Sequence, residues 1–437
     1  MLASPPRVTR DLPRFFRSVC SGLLGLALAG LVSTAGATPS GLYGVGPRST
    51  ALVGGGTSLP LGPASTLVNP GELAQSQGKE LSFGLCATDF ALSYATAQGT
   101  QPVDAELAKA VMIGVVAPLM PADPEGFRAA LGLFAQTPPD YLVRAHAPLP
   151  EDPGFPLLVE RASALDLGVA LGVGFRQFSF GAGVEVLAAL RGKQAVGTSA
   201  VPSGVGTELF PAWAPVLGFG VDLGRFGQLG VSFRSVLRAD FEVAVPAPRL
   251  ADLIEIAPLN VSGVAHYEPL KLDAELSRAF GPVRLVLGGR YERWSDFPGW
   301  VGPTVVCPPG VACGTPEPPP SGYSDVFTPR LGVEGTLDAR PVELALRGGY
   351  SLVPTPVPEQ SGASNTFDAA RHALAVGYRV GFPRRRLPLS FEGALRLDLL
   401  ADRTHEKTGA AAAGALGPSV TTRGHALTWI FGLGVEL

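Results

Sequence analysis

Along the last thirteen residues, His425 to Leu437, large apolar side chains alternate without a break with small or polar ones. His425, Leu427, Trp429, Phe431, Leu433, Val435 and Leu437 fall on one side; Ala426, Thr428, Ile430, Gly432, Gly434 and Glu436 fall on the other. A period of two predicts a strand, because a strand sends successive side chains to opposite faces. The period recurs upstream. Residues 341–353 place Val342, Leu344, Leu346 and Tyr350 against Glu343, Arg347 and Gly349, and residues 283–297 place Val283, Leu285, Leu287 and Tyr291 against Arg284, Arg290, Glu292 and Trp294. Residues 387–399 set six apolar side chains against Glu392, Arg396 and Asp398. Residues 228–245 read as one strand with Leu229, Val231, Phe233, Leu237 and Phe241 on its apolar face. One greasy face and one of mixed charge suits a β-barrel in lipid, where a charge on the outer face costs about 2–4 kcal/mol at mid-membrane and a charge in a wet lumen costs little.

Fourteen strands are expected, near 79–87, 111–119, 127–135, 164–175, 178–190, 212–223, 227–245, 262–279, 283–297, 326–338, 341–353, 371–382, 388–405 and 424–437. The links between them alternate short and long, as in outer-membrane barrels with short turns on one side and long loops on the other. An even count closes the sheet without an edge. Residues 41–73 carry Gly and Pro with no sustained period, so they read as compact irregular backbone. Such backbone cannot face lipid and belongs inside the barrel or below it. The expected architecture is all-β: a fourteen-stranded antiparallel transmembrane barrel over 78–437, with an N-terminal hatch, 38–77, in its lumen.

Composition narrows the setting. The 437 residues are 46% apolar and 16% charged. Residues 1–37 read as a cleaved secretory signal: Arg7, Arg10, Arg14 and Arg17 precede the apolar run 19–32, and Ala35-Gly36-Ala37 offers small residues for cleavage. No later apolar run reaches the length of a spanning helix, so a helical membrane protein is excluded and an exported barrel is not. The charge balance, mildly acidic, gives no sign of nucleic-acid binding.

The chemistry is sparse. There is no G-x-S-x-G, and the five histidines, His146, His266, His372, His405 and His425, are scattered, so neither a hydrolase nor a metal site is indicated. No cofactor is expected. Cys307 and Cys313, spaced C-x5-C in the loop 298–325, read as a local disulfide in an oxidising compartment or as two exposed thiols. Arg290 and Arg347 are charges of the lumen face, most of which pair across neighbouring strands. Trp294 reads as lumen packing or part of a ligand path. Residues 141–158 are apolar for a surface loop, with Tyr141, Leu142, Phe155, Leu157 and Leu158. They read as a hydrophobic capture patch or as a loop packed on itself as a lid.

Residues 41–73 resemble the mature N-terminus of the FadL-type outer-membrane long-chain fatty acid transporters. Gly44-Val45-Gly46-Pro47-Arg48, Ala51 to Gly56 and Asn69-Pro70-Gly71-Glu72-Leu73 carry the likeness, Gly71 standing where the family has alanine. Downstream, Arg293-Trp294, Arg347-Gly348-Gly349-Tyr350, the prolines 354, 356 and 358, and Asp368 with Arg371-His372 are similar to the family's pattern. Residues 88–163 match it poorly. The resemblance implies that Gly44, Gly46, Arg48, Asn69, Pro70 and Leu73 belong to the hatch. It also implies a route for hydrophobic small molecules, fatty acids or aromatic hydrocarbons: capture between loops, binding beside the hatch, and passive release sideways into outer-membrane lipid. The chain would work as a monomer in the outer membrane of a Gram-negative cell. The rival expectation is a barrel of this fold that docks secreted or surface proteins and transports nothing.

Overall fold

In the computed structural model, residues 44–120, 126–139, 151–159, 165–194, 205–245, 259–299, 301–305, 321–383 and 387–437 are described. Tyr141, Leu142, Cys307, Cys313 and the expected signal segment lie outside them. No helix among the described residues is long and apolar enough to cross a membrane.

The strands are β1 Glu80–Thr96, β2 Gly99–Pro102, β3 Ala108–Pro118, β4 Phe127–Thr137, β5 Asp166–Phe175, β6 Phe178–Gln194, β7 Val205–Asp222, β8 Gln228–Arg234, β9 Leu237–Val245, β10 Leu259–Glu268, β11 Leu270–Phe280, β12 Val283–Arg293, β13 Val301–Val305, β14 Val326–Ala339, β15 Val342–Val353, β16 Arg371–Phe382, β17 Leu389–Glu406 and β18 Ser419–Glu436. Fourteen of them form one antiparallel ring, which β1 and β18 close from Glu80↔Glu436 to Ala95↔Thr421. β2 is an extra strand hairpinned onto β1, and β9, β10 and β13 form a separate three-stranded sheet.

The closing strand keeps the expected faces. Ile430, Ala426 and Thr428 are buried, while Phe431 is 55% exposed on the outside. The outer face carries apolar side chains all round, among them Phe83, Leu133, Phe180, Leu287, Leu346 and Leu395. That belt suits hydrocarbon and would be unstable in water.

Two expected strands are each two strands. The run 227–245 breaks at Ser235 and Val236, and the run 262–279 breaks at Pro269. Proline has no N–H to give to a ladder. Only the halves β8 and β11 remain in the wall, paired with each other, while β9 and β10 pair with each other in the separate sheet. Leu237, assigned to the lipid face by parity, is instead buried against Leu187 and Ala214, whose side chains face the lumen. The break resets the parity. The first strand is also longer than its apolar pattern suggested, reaching Thr96.

Candidate functional site

Residues 44–76 fill the lumen at one end of the barrel as four short helical turns joined by tight bends. Proline at the start of three of these turns fixes the local backbone without wasting a donor. Gly44, Gly46, Gly54 and Gly56 take positive φ, where a side chain would be strained. Asn69 is fully buried and ties the segment together and to the wall. Its Oδ1 accepts from the Gly71 N–H (3.0 Å), and its Nδ2 donates to the Thr57 carbonyl (2.7 Å) and to the Phe219 carbonyl of β7 (3.0 Å). The Asn69-Pro70-Gly71 turn lies directly on the backbone of Gly181 and Gly218, which face each other on β6 and β7. Leu73 is buried against Val116, Ala130 and Ala170 of the wall. Arg48 forms a two-pronged pair with Glu334 (2.8 and 2.7 Å). Glu275 accepts from the Gly56 and Ser58 N–H groups.

Above this segment the lumen has two unlike sides. β5, β6, β8, β11, β12, β14 and β15 contribute charge. Arg234 bonds Glu185 at 3.0 Å and donates to the Leu67 carbonyl at 2.6 Å; Lys271 pairs with Glu268 at 2.6 Å. Arg330 joins Asp273 (2.6 Å) to the Gly54 carbonyl (2.8 Å). Of the two arginines singled out from sequence, Arg290 holds Asp273 at 3.0 Å, while Arg347, lower down beside Arg48, bridges Glu334 and Glu392 at 2.7 and 3.0 Å. Both are committed to neighbouring acids.

The facing side is largely apolar, apart from the ion-paired group of Arg371, Arg396 and Asp398 on β16 and β17. Cys86 and Phe90 of β1, Ala110 and Met112 of β3, Phe134 of β4, Leu400 of β17, and Ala426 and Ile430 of β18 form one buried cluster, which continues into Val45, Ala51, Ala64 and Leu67 of the N-terminal segment. Two loops complete it. Phe155 and Leu158 come from one, and Phe367 from the other. The loops are stitched together, since the Gly154 N–H donates to the Asn365 carbonyl (3.2 Å) and the Phe367 N–H donates to the Gly154 carbonyl (2.7 Å). Leu157 turns the other way, into a second cluster with Trp294, Tyr267, Phe297, Val264 and Val53. Its rings are close: Phe297 lies 4.7 Å from Tyr323 and 4.9 Å from Tyr267. Trp294 is fully buried there.

The structure thus places Phe155, Leu157, Leu158 and Trp294 inside the barrel mouth, with Arg290 on the charged side and Arg347 beside the N-terminal segment at the other end. Phe367 escaped the sequence reading. A lone aromatic between Asn365 and Asp368, in a stretch otherwise of small and polar residues, was the available signal.

Two further features bear on passage. At the end of the barrel where the chain enters β1 and leaves β18, a cavity of about 300 Å³ is lined by Arg48, Glu80, Glu334, Arg379, Glu392 and Glu436. Phe83, Met112, Phe134 and Leu389 share its lining with these charges. In the wall itself, β7 pairs with β8 only from Val216 to Asp222. The last bond runs from the Ser235 N–H to the Pro215 carbonyl (3.1 Å), and the return bond cannot form because residue 215 is proline. Beyond it, among the described residues, the 205–215 half of β7 pairs with β6 alone. Pro211 repeats the missing donor on that same edge, as edge strands do.

No protein-family profile matches the sequence, and no curated protein matches it either. Solved structures do. A FadL homologue from Pseudomonas aeruginosa is similar with a TM-score of 0.56 at 15% identity, over 93% of this chain and 99% of that one. The toluene transporter TodX of P. putida gives 0.53 at 14%, over 91% and 99%. The toluene transporter TbuX of Ralstonia pickettii gives 0.53 at 15%, over 90% and 98%. At such identities the likeness is one of fold. The chain has the FadL-type fold.

Proposed function

We propose that this FadL-fold barrel sits in an outer membrane and carries hydrophobic small molecules inward without an energy source. The observation that supports this most is the apolar column that runs from Phe155, Leu158 and Phe367 down to Leu67 and Ala51, in a barrel whose other side is charged. Side chains drawn from two loops fill that column. A ligand of similar character can replace them, and each methylene it buries contributes about 0.8 kcal/mol. Capture is then a parting of the loops 151–159 and 354–370, with Tyr141, Leu142, Phe155, Leu157 and Leu158 meeting the cargo first and Trp294 packing at the mouth. The N-terminal segment forms the floor of the column. Release is sideways, where the edge of β7 that has no β8 partner offers the weakest line in the wall.

The loop step has a direct test. A disulfide between Gly154→Cys and Thr366→Cys, which face each other across the bridge between the two loops, should stop uptake of a fluorescent hydrocarbon by cells making the protein. Reduction should restore it. Equal uptake by the oxidised and reduced protein would rule out capture between these loops.

A further inference from the structure

Gln136 of β4 stands at the seam between the two sides of the lumen. Its register partner on one side is Met112, part of the apolar column, and on the other it is Asp166, at the edge of the charged side. The side chain is 1% exposed, and among the described residues neither its amide nitrogen nor its amide oxygen has a hydrogen-bond partner. Asp166 is 2% exposed, and one of its carboxyl oxygens, Oδ1, is also unpaired. Two strands away, nothing remains for an anion. Arg234 spends Nε and Nη1 on Glu185 and Nη2 on the Leu67 carbonyl, Lys271 is taken by Glu268, and His266 lies 3.6 Å from Glu268. Each base here is engaged by an acid.

Leaving a buried amide unpaired is costly, so a site that retains one next to a removable apolar filling is suited to a ligand that completes it. We propose that Gln136 and Asp166 form a head-group subsite for an uncharged amphiphile whose head both donates and accepts, a primary alcohol or a carboxamide, with its tail in the apolar column. An ionised carboxylate would meet Asp166 and Glu185 with no free cation to balance it. A plain alkane would leave both polar groups unpaired. The inference rests on the transport reading and specifies the class of molecule carried.

The test compares four probes of equal chain length, 1-octanol, octanamide, octanoate and octane, as competitors of labelled octanol in equilibrium dialysis of the purified full chain held in amphipol. The alcohol and the amide should outcompete octane and octanoate by about 10-fold each. In Gln136→Leu, the ratio of octanol to octane affinity should fall to near one, and Gln136→Asn should keep part of it. If Gln136→Leu does not fold, Asp166→Asn is judged by the same ratio. Binding of all four probes with octanoate the tightest, or with an unchanged ratio in the variants, overturns the subsite and leaves the transport reading standing. No binding of any probe overturns both.

Discussion

The N-terminal segment owes its seat to glycines in the wall, and adding one methyl group there should unseat it. A Cβ at Gly218 would lie 2.1 Å from Asn69 Oδ1 and 2.6 Å from the Gly71 nitrogen, and one at Gly181 would lie 2.2 Å from the Pro70 carbonyl carbon. The contacted atoms are mostly backbone of a tight turn, so no flexible side chain can swing aside. Non-bonded carbons need about 3.5 Å, so the turn must retreat by roughly 1 Å or more. That retreat breaks or stretches the three hydrogen bonds of Asn69, at about 1 kcal/mol each, on top of about 1–3 kcal/mol of overpacking. The strands themselves accept alanine, because neither glycine has positive φ. Gly218→Ala and the double variant Gly181→Ala/Gly218→Ala should therefore yield intact barrels with a loosened lumen segment, read as a rise in single-channel conductance in planar bilayers. Gly335→Ala is the matched control: it adds a methyl to the same barrel with no atom within 4 Å. Conductance equal to the control in both variants would refute the claim that this turn holds the segment in place.

Glu72 of the same segment should make seating pH-dependent. Burial, with repulsion from Glu275 second, raises its carboxyl to about 8. The folded value lies above the unfolded one, so the seated state binds the extra proton. Its stability is greatest below about pH 4.5 and declines as pH rises to 8, by at most roughly 5 kcal/mol. Conductance should be higher at pH 9 than at pH 5, and Glu72→Gln should flatten that dependence. Phe367→Ala removes a fully buried ring packed on Phe155 (6.2 Å) and stacked on His405 (5.0 Å). It should cost about 3–5 kcal/mol, seen as a lower melting temperature of the folded band on semi-native gels. Arg330→Met should destabilise by about 3–5 kcal/mol, since it strips one partner from the buried Asp273, and Arg330→Met/Asp273→Asn should recover much of the loss in the same assay.

What the sequence disclosed and what it concealed have one physical origin. Lipid is a uniform partner, so each outward position obeys one rule and the strand faces at Leu346, Leu395 and Phe431 follow from parity alone. A lumen is not uniform. Met112, Ala426 and Ile430 can be apolar inside the barrel because Phe155, Leu158 and Phe367 cover them from distant loops, and no local pattern announces which loop covers which strand. The apolar content of residues 141–158 indicated that something is covered without saying what. Charges show the same limit, for Arg48 meets Glu334 across 286 residues of chain. The broken strands are a different case. Pro215 and Pro269 stand within runs that alternate well, and the side-chain pattern alone carries the expected strands straight through them. Proline lacks the ladder donor whatever the side-chain pattern around it, so at those two positions the backbone rule outranks the periodic one. The end of β7–β8 pairing at Val216 has its counterpart in the sequence as two missing N–H groups, Pro211 and Pro215, four residues apart and therefore on the same edge.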